Sequence, residues 1–344
     1  MKKRVLVTGS EGYIGSVMMP MLLSEGFDVV GLDVCFFADG NLTGAKLPSY
    51  PIIREDVRDV DPKDFEGFDA VIHLAGLSND PLGSLDESLT FAINYKGSVR
   101  VAEAAREAGV KKFIFASSCS LYGFADKVLT EEDGANPQTA YGKSKVMAEE
   151  AISLMATDSF SPTFMRNATA YGVSPRMRFD LVVNSLAGYA QTEGQIKILG
   201  DGTPWRPLVH IRDISAACIA VLRQEKEIVH NQAFNVGDSH ENYQIKTIAG
   251  HIKKYYPDCE VSIAQKDAGD TRNYRVGFAK LKDRLHYEIM VRLDNGIAGI
   301  HDAYKRIPLT LPLFEDPIYT RLRQIQFLLR EKRIDSALRW VAPR

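Results

Sequence analysis

Three residues between positions 118 and 145 have the types and the spacing needed to move a proton. Tyr141 and Lys145 stand four residues apart in the string YGKSK, so a helix would carry both on one face. A free tyrosine has a pKa of about 10 and is a poor base at neutral pH, but a neighbouring ammonium favours its phenolate. Ser118 ends an apolar run, and its hydroxyl could orient a substrate alcohol. Together the three residues predict oxidation of a secondary alcohol, with Tyr141 as the base.

A glycine-rich turn near the N-terminus has the pattern of a dinucleotide site. The string TGSEGYIG follows an apolar run and precedes a helical stretch. Gly9, Gly12 and Gly15 suit a tight turn, close approach to a pyrophosphate and a closely packed helix, whose first N–H groups face the phosphates. Asp33 lies 18 residues after Gly15, at the end of the second apolar run. Its carboxylate can accept hydrogen bonds from an adenine ribose and would repel a 2′-phosphate, so the pattern predicts NAD rather than NADP.

Short apolar runs alternating with helical stretches must position these residues. Because such runs suit strands with both faces covered, the chain is predicted to be α/β, a doubly wound (Rossmann) parallel sheet with a smaller C-terminal α+β substrate-binding lobe. We assign residues 1–170 to the NAD-binding domain and 171–344 predominantly to the lobe, with segments around 205–240 returning to the first domain. Apolar spacing from Ile318 to Leu329 predicts a C-terminal packing helix. The five predicted strands are RVLVTG (4–9), FDVVGLD (27–33), PIIRED (51–56), AVIHLAG (70–76) and KFIFASS (112–118).

Composition narrows the function classes. The chain has 42 Lys+Arg against 44 Asp+Glu, a net charge of −2, which lacks the basic excess of a general nucleic-acid binder. No apolar run approaches the ~18–20 residues of a membrane span, and the N-terminus lacks the apolar core of a signal peptide. The four cysteines are scattered, without a C-x-x-C pair or histidines at zinc-ligand spacing. We therefore expect a cytoplasmic protein without a metal site and without nucleic-acid or membrane partners.

Over residues 4–300 the chain resembles the extended short-chain dehydrogenase/reductases of the NAD-dependent nucleotide-sugar epimerase/dehydratase family, and is UDP-glucose 4-epimerase-like. The strings that carry the resemblance are VTGSEGYIG, DVRD, HLAG, INYKGS, SSCSLYG, YGKSK and GDGTPWRPLVHIRD. The resemblance implies that Ser118, Tyr141 and Lys145 form the catalytic triad. It also implies NAD contacts from Gly9, Gly12, Tyr13, Ile14, Gly15, Asp33, Asp56, Val57, Leu74, Ala75, Gly76, Asn94, Tyr141 and Lys145.

The same resemblance implies a nucleotide-diphosphate sugar as substrate and a homodimer as the assembly. Arg206 would meet a substrate phosphate, and Arg272 would be a second phosphate contact. The dimer would form through a four-helix bundle from residues 87–108 and 140–155. The implied substrate contacts are Ser118, Cys119, Ser120, Asn167, Thr169, Arg206 and Arg272.

Departures from the family pattern bear on the subclass. Cys119 and Ser120 follow the triad serine where the 4,6-dehydratases carry acidic residues, so dehydration is disfavoured and a 4-epimerase working through a keto-sugar is favoured. Thr169 stands where the family has an asparagine, and Asn167 lies two residues earlier, so specificity for UDP-glucose is not carried over. Cys119 is a nucleophile or, as we favour, a packing residue. His73 is expected to be structural.

Two alternatives to an epimerase stay open at this point. The first is a nucleotide-sugar oxidoreductase of the same family, either a 4-keto reductase or an NAD-dependent oxidase. The second, from another class, is a catalytically silent NAD-binding sensor or scaffold. The presence of all three triad residues argues against the silent protein, because a pure binder needs only the glycine turn.

Overall fold

The computed structural model describes residues 2–78, 86–264 and 272–341. Its central layer is a seven-stranded sheet in the order β11-β7-β5-β4-β1-β2-β3, in which every pairing is parallel. The strands of the described residues are β1 (Arg4–Thr8), β2 (Asp28–Leu32), β3 (Ile52–Ile53), β4 (Ala70–His73), β5 (Lys112–Ser118), β6 (Phe124–Leu129), β7 (Ser161–Asn167), β8 (Thr169–Tyr171), β9 (Gln195–Leu199), β10 (Trp205–His210), β11 (Gln232–Val236), β12 (Asn242–Gln244), β13 (Glu260–Ala264) and β14 (Asn273–Val276).

Helices connect these strands and cover the sheet. The α-helices are α1 (Gly15–Ser24), α2 (Glu87–Thr90), α3 (Ser98–Glu107), α4 (Ala140–Ser153), α5 (Val182–Glu193), α6 (Ile211–Arg223), α7 (Lys226–Val229), α8 (Ile245–Lys253), α9 (Ala279–Leu285), α10 (Leu293–Arg306), α11 (Leu311–Phe314) and α12 (Arg321–Arg330). A π-helical turn (Phe91–Gly97) joins α2 to α3, and 3₁₀ turns occupy Pro62–Phe65, Cys119–Tyr122 and Pro317–Tyr319.

Alternation along each strand buries both faces of the sheet. In β1, Val5 and Val7 belong to one core cluster, whereas Leu6 lies in the cluster on the opposite side. Successive side chains of a strand point to opposite faces, and parallel sheets of this kind are covered by helices on both. The prediction of a doubly wound α/β sheet is confirmed.

The strand order fixes where a ligand can bind. From β1 the chain passes to β2 and β3 on one side and then returns to β4 on the other side of β1. The crevice at such a reversal, outside the carboxyl ends of the strands, is the usual ligand site of open α/β sheets. Thr8, His73 and Ser118 end β1, β4 and β5, so this edge collects the residues singled out in the sequence.

Smaller sheets build the lobe. Two of them, β12-β10-β8 and β13-β9, contribute to a third core cluster that includes Tyr171 and Leu208. The third, β14-β6, contributes Leu129 and Val276 to the core cluster that also contains Val5. β11 (Gln232–Val236) instead joins the main sheet beside β7, and α6 packs on its core through residues such as Ile214 and Leu222. The division near residue 170 stays a prediction, but these two elements lie within the segment expected to return to the first domain.

The C-terminal helix α12 packs on the main sheet, not on the lobe. Its buried Ile325 and Leu328 share a core cluster with Leu6, Val30 and Leu32 of the sheet. The helix was expected from its apolar spacing, and its packing on the body is confirmed. The side on which it packs brings the chain end toward the carboxyl ends of β2 and β3.

Within residues 2–78, 86–264 and 272–341, no helix is long and apolar enough to span a membrane. The same residues contain no group of three or more His, Cys, Asp or Glu side chains arranged to hold a metal ion. The cysteines Cys35, Cys119, Cys218 and Cys259 are all free thiols and all buried.

Candidate active site

The glycine turn between β1 and α1 permits contacts that side chains would block. Gly9 has φ +73°, and a Cβ there would lie 2.8 Å from the Ala75 nitrogen. A Cβ on Gly15 would lie 2.3 Å from the Gly9 carbonyl oxygen, and the Gly12 N–H donates to that same oxygen at 3.1 Å. Tyr13 and Ile14 complete the turn and lead into α1. The tight turn and its packing against Ala75 therefore require glycine at these positions, as expected of a turn that binds a pyrophosphate.

Asp33 lies directly after β2, beside this turn. Its Oδ2 accepts a hydrogen bond from the Glu11 N–H at 2.9 Å, and its Oδ1 accepts one from the Cys35 N–H at 2.6 Å. Burial raises the pKa of Asp33 to about 6, against the lowering effect of those two bonds. An ionised carboxylate has about four acceptor positions, so two remain for a ribose diol. The residue fits the role expected for NAD.

Leu74, Ala75 and Gly76 form the wall opposite the glycine turn. The Leu74 N–H donates to the Thr8 carbonyl oxygen at 3.0 Å, which fixes the wall to β1. Asn94 lies behind it in the π-helical turn; its amide accepts from the Leu77 N–H at 2.7 Å and donates to the Leu77 carbonyl at 2.9 Å. The contact of Asn94 with NAD stays a prediction; in the structure the Asn94 amide holds the loop after β4. It therefore positions the wall.

Asp56 and Val57 follow β3 at the same edge. Asp56 is held by Arg58, whose Nη2 lies 2.7 Å from Oδ2, and by Arg339, whose Nη1 lies 3.0 Å from the same oxygen. Val57 is buried in the core cluster that also contains Leu6. Both residues lie where the adenosine half of NAD was expected, and the arginine from the chain end was not foreseen.

Capping residues at two element junctions hold the triad. The Ser118 hydroxyl ends β5 and accepts from the Ser120 N–H at 3.2 Å, which opens the 3₁₀ turn after the strand. Thr139 caps α4 by accepting from the Gly142 N–H at 3.1 Å. This start places Tyr141 in the first turn of α4, where it is partly exposed, with Lys145 one turn later.

Lys145 reaches across to β5. Its Nζ donates to the Ala116 carbonyl oxygen at 2.7 Å, two residues before Ser118, and lies 5.8 Å from the centre of the Tyr141 ring. Burial lowers the pKa of Lys145 to about 8, because the ammonium is removed from water. The structure thus brings all three triad residues to one place, with the lysine cation beside the tyrosine.

His73 belongs to the framework of the site. Its Nδ1 lies 2.6 Å from the Thr8 hydroxyl and its Nε2 lies 2.8 Å from the Ser98 hydroxyl. Burial, and then the charge of Lys145, lowers the pKa of His73 to about 3. A neutral imidazole bonded at both nitrogens is a structural residue, as expected.

Cys119 is a packing residue in the described structure. Its thiol is fully buried, and Sγ lies 3.1 Å from the Arg166 carbonyl oxygen. Burial raises the pKa of the Cys119 thiol well above its ordinary value, which opposes formation of the nucleophilic thiolate. This agrees with the favoured interpretation of the residue, and any contact with substrate would have to come from its backbone.

Beside Cys119, several buried polar atoms have no hydrogen-bond partner within the described residues. They are the hydroxyls of Ser117 and Ser120 and the Oδ1 of Asn167. The register of β5 with β7 sets Ser118 against Asn167, and Thr169 follows, partly exposed, at the start of β8. Because unpaired buried polar groups are costly, their concentration at the carboxyl ends of β5 and β7 suits a polar ligand such as a sugar.

Arg206 and Arg272 are neighbours in the lobe. Arg206 is buried, and its Nη1 donates to the Arg272 carbonyl oxygen at 2.5 Å and to the Trp205 carbonyl oxygen at 2.9 Å. Arg272 is partly exposed. The Arg206 side chain thus contacts the backbone of Arg272, and the role of both arginines at substrate phosphates stays a prediction.

Sequence reasoning missed a buried cation near Tyr141. Arg178 forms an ion pair with Asp180 at 3.0 Å and donates to the Ser78 hydroxyl at 3.0 Å. Burial alone would lower the pKa of Arg178, but Asp180 raises it, and Tyr141 adds to the rise. By reciprocity, Arg178 favours the anionic form of Tyr141. The available signal was the charge cluster in PRMRFD (175–180), directly after the motif containing Thr169.

Comparison with known proteins agrees with this site. The model of the "NAD dependent epimerase/dehydratase family" matches residues 5–237. A UDP-glucose 4-epimerase of Mycolicibacterium smegmatis is 30% identical over 315 residues, which cover 88% of this chain and 98% of that protein.

Solved structures with similar folds contain NAD. A UDP-glucuronic acid 4-epimerase from Bacillus cereus, in complex with UDP-glucuronic acid and NAD, superposes with TM-score 0.79 at 26% identity, over 88% of this chain and 99% of that one. MoeE5 in complex with UDP-glucuronic acid and NAD has TM-score 0.77 at 26% identity, with the same coverage. The chain therefore belongs to the NAD-dependent epimerase/dehydratase family, as an NAD-dependent enzyme of the extended short-chain dehydrogenase/reductase type.

Proposed function

We propose that this chain is an NAD-dependent nucleotide-sugar epimerase, 4-epimerase-like, that works through a transient keto-sugar. The observation that carries the proposal is that Lys145 lies beside Tyr141 and reaches the end of β5, where Ser118 lies, at the same edge of the sheet as the glycine turn. The curated relative from Mycolicibacterium smegmatis and the Bacillus cereus structure, both 4-epimerases, support this reaction class.

The proposed chemistry needs a proton carrier, a group that holds the substrate hydroxyl, and positive charge near the proton carrier. Tyr141 removes the proton of the sugar hydroxyl, and Ser118 holds that hydroxyl by a hydrogen bond. Lys145 and Arg178 provide positive charge that favours the phenolate. Bound NAD would supply the hydride chemistry at the ring carbon, in both directions. After the ketone has turned over, Tyr141 gives back the proton, so the overall reaction is an isomerisation.

The residue types that directly follow Ser118 support epimerisation rather than dehydration. Loss of water from a sugar needs a carboxylic acid and base close to the ring, and the positions after Ser118 hold Cys119 and Ser120. The buried thiol of Cys119 cannot do that work. We propose that the unpaired groups of Ser117, Ser120 and Asn167 bind the sugar, with Thr169 beside them.

For the remainder of the substrate we propose a nucleoside diphosphate. Arg206 contacts the backbone of Arg272, so the chain brings two arginines of opposite charge to a diphosphate into one part of the fold. Uridine diphosphate sugars are the first candidates, because the relatives that carry the similarity act on or bind them.

The test is turnover without added cofactor. Purified protein is incubated with a panel of uridine diphosphate sugars and followed by NMR. We expect interconversion of epimers with no lasting rise in the absorbance of reduced nicotinamide. Steady accumulation of NADH in step with substrate loss would replace the epimerase by an oxidoreductase of the same family.

Tyr141→Phe separates an enzyme from a silent NAD binder. The variant should lose turnover by about 10²–10⁴-fold, the usual contribution of a general acid–base group, and keep its bound NAD. Tyr189→Phe, which removes a hydroxyl in the lobe helix α5, is the matched control and should turn over normally. A Tyr141→Phe variant as active as the parent would contradict the mechanism.

A further inference from the structure

The chain end returns to the segment that follows Asp33. Trp340 donates its indole N–H to the Val34 carbonyl oxygen at 2.6 Å, and its ring centre lies 5.4 Å from that of Phe36. From α12, Gln324 donates to the Phe36 carbonyl oxygen at 3.1 Å. These contacts fix one side of the C-terminal segment to the loop after β2.

Its other side is fixed to the segment after β3. Arg58 donates to the Ala337 carbonyl oxygen at 2.8 Å, and Arg339 pairs with both Asp56 and Asp59. Leu338, between these points, is buried in the core cluster of the sheet. Residues 331–341, which we call the C-terminal strap, therefore bridge the ends of two neighbouring strands.

A cavity of about 290 Å³ lies beneath the strap. Its walls come from the two loops, through Val34, Phe36 and Asp56, and from the strap itself, through Arg339 and Trp340. Val34 follows Asp33, the residue whose carboxylate fits the adenine ribose. A base joined to that ribose lies one glycosidic bond away, so this cavity adjoins the place where the base must lie.

We propose that the adenine ring of NAD binds in this cavity and that the C-terminal strap forms its outer wall, with Trp340 as an adenine contact. Aromatic rings and arginine planes are the surfaces on which bases stack, and Phe36, Trp340 and Arg339 provide three of them. The inference rests on the NAD dependence of the family. It holds whether the reaction is epimerisation or net oxidation.

A buried cation at the start of α12 gives independent support. Arg321 is 3% exposed, and its Nη1 has no hydrogen-bond partner within the described residues. Its guanidinium lies 3.9 Å from the centre of the Phe37 ring, and the charge of Asp33 acts on it. An unpartnered buried donor near the ribose carboxylate suits an anionic or polar ligand. The helix that leads into the strap thus places a cation near Asp33, outside the lining of the cavity itself.

The binding test uses the fluorescence of Trp340. The chain has two tryptophans, so Trp205→Phe leaves Trp340 as the sole emitter. After removal of bound nucleotide, this protein is titrated with AMP, which carries the adenine half of NAD, and with NMN, which carries the nicotinamide half. We expect AMP to change the emission saturably and NMN to leave it unchanged.

Substitution separates an adenine contact from a general packing role. Trp340→Ala should weaken NAD and AMP binding by about tenfold or more, the scale of a lost base–aromatic contact, and leave NMN binding unchanged. Trp340→Phe keeps a ring and should restore most of the affinity. Arg330→Ala, on the exposed side of α12, is the control and should bind all three ligands normally.

Three results would overturn the proposal. They are an emission of Trp340 that AMP does not change, wild-type affinity for AMP in Trp340→Ala, and equal loss of AMP and NMN binding in that variant. The last would assign Trp340 to packing alone. Because every readout is nucleotide binding without a sugar, a failed epimerase assay would leave this test intact.

Discussion

At the scale of single residues, His73 makes the stability of the fold depend on pH, because it is held neutral between the hydroxyls of Thr8 and Ser98. Its pKa is about 3 in the folded protein but about 6.5 in an unfolded chain. Below pH 6.5 the unfolded state therefore binds a proton that the folded state does not, and stability falls as the pH falls toward 3. We expect this one group to cost about 2 kcal/mol between about pH 7 and about pH 5.

Urea unfolding at a series of pH values checks this expectation. His73→Asn removes the titration, so its free energy of unfolding should be lower at neutral pH but should fall less between pH 7 and pH 5. His240→Asn, at an exposed histidine, should keep the slope of the parent. Parallel slopes in the parent and His73→Asn would show that His73 does not titrate as the structure requires.

Residue types and short spacings in the sequence are enough to predict much of the candidate site. The structure places these predicted features at one edge of the sheet: the glycine turn, Asp33, Ser118 and the Tyr141–Lys145 pair. Each of them lies at the end of a strand or on one face of a helix, so the local sequence is enough to predict its place. Arg178 was not foreseen. Its position depends on an ion pair and a loop fold that no local spacing encodes.

At the scale of elements, the π-helical turn Phe91–Gly97 holds the wall of the NAD site through Asn94. Asn94→Ala would leave the N–H and C=O of Leu77 without their partner, at a cost of about 1–3 kcal/mol for unpaired buried groups. We expect lower stability and weaker NAD binding, since Leu74, Ala75 and Gly76 lose their support. Urea unfolding and NAD titration measure the two effects.

Glu103→Ala is the control for that element. Glu103 is exposed on α3, the helix that continues from the π-helical turn, so its loss should change neither quantity. Normal NAD binding by a destabilised Asn94→Ala protein would mean that the wall does not depend on Asn94. In that case the amide would have a structural role only.

The elements themselves differ in how far the sequence predicts them. β1, β2, β4 and β5 follow from apolar runs with turn residues at their ends, and the parallel sheet follows from their alternation with helices. The C-terminal strap does not. Trp340 meets Val34 across 306 positions, and Arg339 meets Asp59 across 280. Such contacts depend on tertiary packing and leave no periodic pattern.

At the scale of the whole molecule, the cofactor turn is tied directly to the segment that begins the lobe. Tyr13 donates its hydroxyl to the Gly172 carbonyl oxygen at 2.7 Å, and Glu11 pairs with Arg176 at 2.5 Å. Both contacts are buried. Because loss of one partner of a buried pair is costly, the two parts are expected to act as one unit around the site.

The outer face of α4 supports the homodimer proposed by family resemblance. Met147 and Leu154 are 38% and 89% exposed, and Ala151 lies partly buried on the same side of the helix. We propose that this apolar stripe pairs with its copy in a second chain, together with α3.

Met147→Glu would place a charge in that interface and should give a monomer by analytical ultracentrifugation at micromolar concentration, where the parent is a dimer. Leu199→Glu, at an exposed apolar residue of the lobe, should stay dimeric. A monomeric parent, or a dimeric Met147→Glu, would place the interface elsewhere or remove it.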